Sequence, residues 1–213
     1  MLREGDVVVF AGDSITEYGR APVSGRSGEV PLGTGYVYYV DKLIKALAPG
    51  LKVRIINAGI SGNTVFDLLV RWDDDVLAYR PSLVSLLIGV NDAHRFLSGQ
   101  TEYSPQEFER AYRSLVEKTL ASEAKMLLLT PFYVTRAAEG PRRKALEVVG
   151  QYAAAVAKIA KDYGLEYIDL YTKFKELAER GEPVEYSYDA IHPTITGSIV
   201  IAVEVVKRLL GGI

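Results

Sequence analysis

An α/β fold, a three-layer sandwich around a five-stranded parallel sheet in the flavodoxin-like order 2-1-3-4-5, is predicted by three features of this 213-residue chain. Short β-branched or apolar runs alternate with helix-period segments along the whole length. Each run is too short and too continuous to be an amphipathic helix. Parallel neighbours need a crossover that covers a face of the sheet, and the intervening helical segments supply it.

In chain order, the first run is residues 7–11, Val-Val-Val-Phe-Ala, apolar on both sides of the pleat as in a strand covered on both faces. A long Gly-, Ser- and Pro-rich loop, residues 19–35, separates it from a helical segment at 36–47. Loops of that length are functional or disordered, so this one is either a lid over a site or a flexible insertion. The second run, 53–57, leads into a glycine-rich turn and a helix at 64–78; the third, 83–88, leads into a loop and a helix at 105–122. A fourth run at 126–130 precedes a helix at 141–163, a fifth lies at 167–170, and a last helix is expected at 194–210. No internal repeat or linker interrupts the pattern, so residues 1–213 are expected to form a single domain. Ligands of such sheets bind beyond the carboxyl ends of the strands, which directs attention to the segment after each run.

Composition removes several classes of function. Lysine and arginine number 25 against 27 acidic residues, a formal net charge of -2 with both signs interspersed, which leaves no basic footprint for nucleic acid or anionic lipid. Without cysteine there is no disulfide framework, thiolate metal site or cysteine nucleophile. The two histidines, His94 and His192, are well separated, and neither Gly-x-x-x-x-Gly-Lys-Ser/Thr nor Gly-x-Gly-x-x-Gly follows a strand. An enzyme with no metal or other cofactor is expected, acting on a neutral small molecule rather than on nucleic acid or membrane. Residues 1–5 carry an acid and precede only a short apolar run, unlike a signal peptide or membrane span, so the expected location is the cytoplasm. Scarce Asn, Gln and Met beside plentiful Glu, Lys and Arg fit a thermophilic protein.

The chemistry-bearing residues fall at loops. His192, in Tyr188-Asp189-Ala190-Ile191-His192-Pro193, precedes the last helix, and Pro193 biases it toward extended backbone. Asp189 on the same turn can reach Nδ1–H and leave Nε2 as a proton acceptor, although a surface Asp–His pair near a helix start would look alike. The first run ends in Gly12-Asp13-Ser14, a turn that can expose the Ser14 hydroxyl and backbone N–H together; Asp and Ser after a strand are also common helix caps. Asn57-Ala58-Gly59-Ile60-Ser61-Gly62-Asn63 and Gly89-Val90-Asn91-Asp92, after the next two runs, offer backbone amides and a side-chain amide. Ser14 N–H, Gly62 N–H and the Asn91 amide would then surround a tetrahedral oxyanion.

Taken together, Gly12-Asp13-Ser14, Gly62, Gly89-x-Asn91-Asp92 and Asp189-x-x-His192 resemble the signature of the SGNH hydrolases, also called the GDSL family, in order, spacing and strand placement. The resemblance implies a flavodoxin-like fold, acyl transfer by Ser14, His192 and Asp189, and an oxyanion hole from Ser14, Gly62 and Asn91. Residues 10–20, 32–36, 59–64 and 130–133 look further like the intracellular acetylxylan esterases of that superfamily. That likeness implies a small-molecule ester substrate, an acetylated xylo-oligosaccharide from which acetyl groups are removed, and a homo-oligomer. Tyr188 stands where those esterases carry Trp, and the C-terminal tail is shorter. Asp13, His94, Tyr133 and Tyr188 are candidate substrate contacts, aromatic faces being suited to sugar rings; Arg71-Trp72 is read as helix packing. Two other readings stay open: a lipolytic thioesterase or lysophospholipase using the same triad, and a non-catalytic carbohydrate-binding module on the same fold.

Overall fold

In the computed structural model, which describes residues 1–20 and 31–211, five strands form one parallel sheet. They are β1 (Val7–Gly12), β2 (Arg54–Gly59), β3 (Leu83–Leu87), β4 (Lys125–Leu129) and β5 (Glu166–Ile168), in the spatial order β2-β1-β3-β4-β5. This is the predicted order. The helices are α1 (Ser14–Glu17), α2 (Tyr36–Leu47), α3 (Val65–Asp75), α4 (Val90–Leu97), α5 (Pro105–Ala121), α6 (Gly140–Tyr163), α7 (Leu170–Arg180), α8 (Pro183–Tyr186) and α9 (Ile195–Leu210). From β1 the chain steps outward to β2 and then reverses across β1 to β3, β4 and β5. With right-handed crossovers, that reversal puts α2 on one face and α3, α5 and α6 on the other. Helix packing agrees, since α2 lies against α9 while α5 lies against both α3 and α6.

Burial follows from this layering. Val8, Val9, Phe10 and Ala11 of β1 have no exposed surface, and covering a Val or Phe side chain in this way stabilises by about 1.5–3 kcal/mol. Trp72 of α3 is fully buried, and its indole N–H donates to Thr119 Oγ1 of α5 at 3.0 Å, so its polar tip is satisfied inside the helix layer. Register then sets the site. Gly12 pairs with Gly59 on one side and with Leu87 on the other, so β1, β2 and β3 end at one level. Their three following loops rise together at the point where the strand order reverses, which is where such sheets bind ligands.

Several elements differ from expectation. Helix α4 starts directly at the end of β3, in a segment read as loop because its Gly-Val-Asn-Asp opening carries no apolar period. Leu170, expected to end the fifth strand, opens α7 instead: the Asp169 side chain accepts from Thr172 N at 3.0 Å and caps a new helix. Helix α3 stops at Asp75, short of the expected residue 78, and a single 3₁₀ turn over Leu77–Tyr79 follows. The proposed lid, residues 19–35, falls largely outside the described residues.

Candidate active site

Ser14 is the first residue of α1, held where β1 ends. Asp13 caps the helix, its Oδ1 accepting from Ile15 N at 2.9 Å. The turn lies so close to β2 that a Cβ on Gly59 would stand 2.3 Å from Glu17 N, so only glycine fits there. Buried Asn57 ties the two together: its Nδ2 donates to Thr16 O at 2.7 Å and Leu32 O at 2.9 Å, and its Oδ1 accepts from Gly59 N at 3.0 Å. Asp13 is 1% exposed, and its Oδ2 has no partner among the described residues. Burial pushes its carboxyl up to about 7, against the pull of the Ile15 amide and the nearby His192. Asp13, a candidate substrate contact from sequence, is placed by the structure as a buried cap of the serine turn.

The imidazole arrives on a separate hairpin between α8 and α9. Asp189 Oδ1 accepts from Ile191 N at 2.9 Å and from His192 N at 2.8 Å, while its Oδ2 lies 2.7 Å from His192 Nδ1. Tyr188 N and Ser187 Oγ both donate to His192 O, at 3.1 Å and 2.9 Å, and Val134 N donates to Ala190 O at 2.8 Å. Ala190 adopts φ 83, an unfavourable left-handed conformation for a residue with a Cβ. His192 Nε2 then stands 2.9 Å from Ser14 Oγ. Burial works to raise the Asp189 carboxyl, but the His192 ring and the His192 and Ile191 amides together hold it below its usual range. An ionised Asp189 only accepts, so Nδ1 carries the imidazole proton and Nε2 accepts from the serine hydroxyl.

The two remaining loops supply N–H groups. Gly62 has φ 80 on the turn after β2, and neither its amide nor that of Ser14 is given to a protein acceptor among the described residues. Asn91, on the first turn of α4, spends one amide hydrogen on Asn63 O at 2.9 Å and keeps the other. Next to it, buried Asp92 receives Val65 N on both oxygens, at 3.1 Å and 3.3 Å, which docks the start of α3 against α4. Burial outweighs the Val65 amide and raises the Asp92 carboxyl to about 7.

Around this centre the other candidates are distributed unevenly. The His94 ring meets the nearly buried Tyr133 edge-on at 6.2 Å; burial lowers the imidazole pKa, and Asp189 opposes that shift. Tyr188 is 61% exposed beside Asp189. Sequence reasoning passed over Tyr18, whose phenol pKa is raised first by burial and then by the adjacent Tyr188 and Asp189. It also grouped Arg71 with Trp72 as packing. Trp72 is packing, but the Arg71 guanidinium hydrogen-bonds to Asn63 Oδ1 at 2.8 Å and Gly12 O at 3.3 Å, in the loops of the site itself. Among the described residues no group of three or more His, Cys, Asp or Glu gathers that could hold a metal ion.

Comparisons with known proteins agree in direction. The profile of the GDSL-like Lipase/Acylhydrolase family matches residues 10–198. An acetylxylan esterase of Geobacillus stearothermophilus is 38% identical over 206 residues, covering 94% of this chain and 92% of that protein. The crystal structure of Axe2, an acetylxylan esterase from the same organism, superposes with a TM-score of 0.86 at 37% identity over 98% of this chain and 95% of that one. Structures described as catalytic mutants of Axe2 replace a serine, an aspartate or a histidine with alanine. LAE5, an alpha/beta hydrolase from the metagenome of Lake Arreo, Spain, superposes with a TM-score of 0.86 at 31% identity over 98% of both chains.

Proposed function

This chain belongs to the GDSL-like lipase/acylhydrolase family and is a carboxylic ester hydrolase of the SGNH type, and from that premise we propose that it removes acetyl groups from carbohydrate esters such as acetylated xylo-oligosaccharides. The observation that carries the reading is the unbroken line of hydrogen-bond contacts from Ser14 Oγ through His192 to Asp189, at 2.9 Å and 2.7 Å. His192 Nε2 takes the hydroxyl proton as Ser14 Oγ bonds to the ester carbonyl carbon. Negative charge collects on the carbonyl oxygen, where the amides of Ser14 and Gly62 and the free hydrogen of the Asn91 amide stabilise it. The carbonyl re-forms, the sugar alkoxide leaves with the proton from His192, and an acetyl-serine remains. Water, deprotonated by the same Nε2, attacks that acyl group and releases acetate, restoring Ser14. Asp189 keeps the ring in the reactive tautomer and offsets the imidazolium charge.

Support for a short acyl group comes from the acetylxylan esterase relative, and support for a sugar alcohol from that relative and from the exposed aromatic face of Tyr188 next to Asp189. The test is a rate comparison across nitrophenyl acetate, nitrophenyl octanoate and acetylated xylo-oligosaccharides, with Ser14→Ala as control. Acetyl over octanoyl, with acetate released from the oligosaccharide, is expected. Preference for octanoate would replace the proposal with a lipolytic thioesterase or lysophospholipase reading, and no turnover of any ester would revive a carbohydrate-binding module.

A further inference from the structure

Arg71 lies on α3, on none of the loops that carry the reactive groups, yet its guanidinium reaches two of them. Nε donates to Asn63 Oδ1 at 2.8 Å, beside Gly62, and one Nη donates to Gly12 O at 3.3 Å, two residues before Ser14. The other Nη pairs with Asp75 at 3.1 Å. Asn63 extends the chain of contacts, because its carbonyl is the acceptor for Asn91 Nδ2 at 2.9 Å. One side chain, 14% exposed, thereby links the loop after β1, the loop after β2 and, through Asn63, the start of α4 after β3. These are the three segments that bear the proposed oxyanion donors.

We propose that Arg71 is a positioning residue of the esterase, clamping the Ser14, Gly62 and Asn91 donors into one arrangement through Gly12 and Asn63. The inference rests on the catalytic roles given above. Its physical basis is geometric. Oxyanion stabilisation needs donors fixed before charge develops, and loops that follow three different strands have no mutual backbone ladder beyond the strand ends. Ile60 N donates to Gly12 O at 3.1 Å and Asn63 N to Ile60 O at 3.2 Å, so backbone bonds tie the first two loops, and Asp92 docks the start of α3 on α4; what the guanidinium adds is a hold on the Asn63 side chain and a second bond to Gly12 O. A planar fork with fixed N–H directions holds several acceptors at set angles, which a lysine ammonium cannot do. The cost of keeping an arginine largely out of water is met by Asp75 on one side, while the charge strengthens its bonds to neutral acceptors on the other.

The experiment measures kcat and KM on nitrophenyl acetate, with melting temperature, for Arg71→Met, Arg71→Lys and Asn63→Ala, each alone and combined with Asn91→Ala. Arg71→Met is expected to lower kcat by about 10- to 100-fold at nearly constant KM, the cost of loosening a reacting geometry by about an ångström. Arg71→Lys should lose nearly as much, because it keeps the charge without the fork. With Asn91 already replaced, the same substitution should cost clearly less than it does in the parent, since one of the three donors it orients is gone. Asn63→Ala spares α3 and the Asp75 pair, and it reads out the same loss should Arg71→Met fail to fold. A kcat within about threefold of the parent in the folded variants, or the full loss repeating without Asn91, overturns the proposal. Ser14→Ala, assayed in parallel, separates the two levels: an active Ser14→Ala removes the catalytic reading, whereas an inactive one beside a fully active Arg71→Met removes only the role of Arg71.

Discussion

Ser14 and His192 meet at 2.9 Å from dissimilar surroundings. The serine leaves a strand with no exposed surface over residues 8–11, backed by Asp13 at 1% exposure and by the buried amide of Asn57. The histidine sits on a hairpin off the sheet, with its side chain 35% exposed and that of Asp189 51% exposed. What holds the base is mostly local: two consecutive turn amides and the ring itself all bond to one carboxylate, with Val134 N on Ala190 O as the tie to the loop after β4. What holds the nucleophile is the sheet. The contrast implies that substitutions around Ser14 change stability and activity together, whereas those around His192 change activity nearly alone.

The largest effects test whether the two regions act as one unit. Ser14→Ala and His192→Ala should each cut turnover by roughly four to six orders of magnitude, and the double variant should lose no more than either single one. Steady-state kinetics on nitrophenyl acetate decide; additive losses would break the unit apart. Next in size is Asp189→Asn, which keeps an oxygen for the two turn amides but no longer fixes the imidazole tautomer. Turnover should fall by about 10⁴ while calorimetry shows only a small drop in melting temperature, the loss of the contribution made by the ionised carboxylate.

Acidity distinguishes the two carboxylates. Asp13 is raised from 3.8 to about 7, so between those values the folded protein holds a proton that the unfolded chain releases. Its contribution to stability is present in full below the unfolded value and is lost as pH rises through about 7. Asp13→Asn can still accept from Ile15 N and does not titrate. It should therefore melt higher than the parent at alkaline pH and not at acid pH. Asp189, shifted downward, has the opposite sign: its contribution is present above the unfolded value and is lost on acidification. The smallest effects come from a matched pair of backbone changes. Gly59→Ala forces a Cβ into the α1 backbone and should destabilise by about 1–3 kcal/mol in urea unfolding. Ala190→Gly relieves φ 83 on the hairpin and should stabilise by no more than about 1 kcal/mol, the relief being partly offset by glycine's greater freedom when unfolded.

Legibility in the sequence followed the same division. Continuous apolar runs marked the sheet because a strand covered on both faces leaves a one-dimensional trace, crossover rules made it parallel, and the reversal of strand order was expected from the flavodoxin-like pattern. Helices α4 and α7 were missed because their starts look like loop and strand; Asp169 acts as a cap only once the chain has turned. Ser14, Asp189 and His192 stood out as a hydroxyl, a carboxylate and an imidazole with short local signatures, and the structure brings them within hydrogen-bond distance. Arg71 had no such signature. It is 59 residues from Gly12 in sequence, and nothing in the spacing of α3 tells a guanidinium that faces solvent from one that faces a neighbouring loop. The burial of Asp13 was equally out of reach of the sequence, since burial is a property of the assembled layers.

Peptide mass mapping after reaction with a fluorophosphonate tests the central claim most directly. A single adduct on Ser14 is predicted, formed at one per chain, absent in Ser14→Ala and slowed by orders of magnitude in His192→Ala. An adduct on another residue, or labelling at the parent rate without the imidazole, would contradict the assignment of Ser14 as nucleophile and His192 as its base.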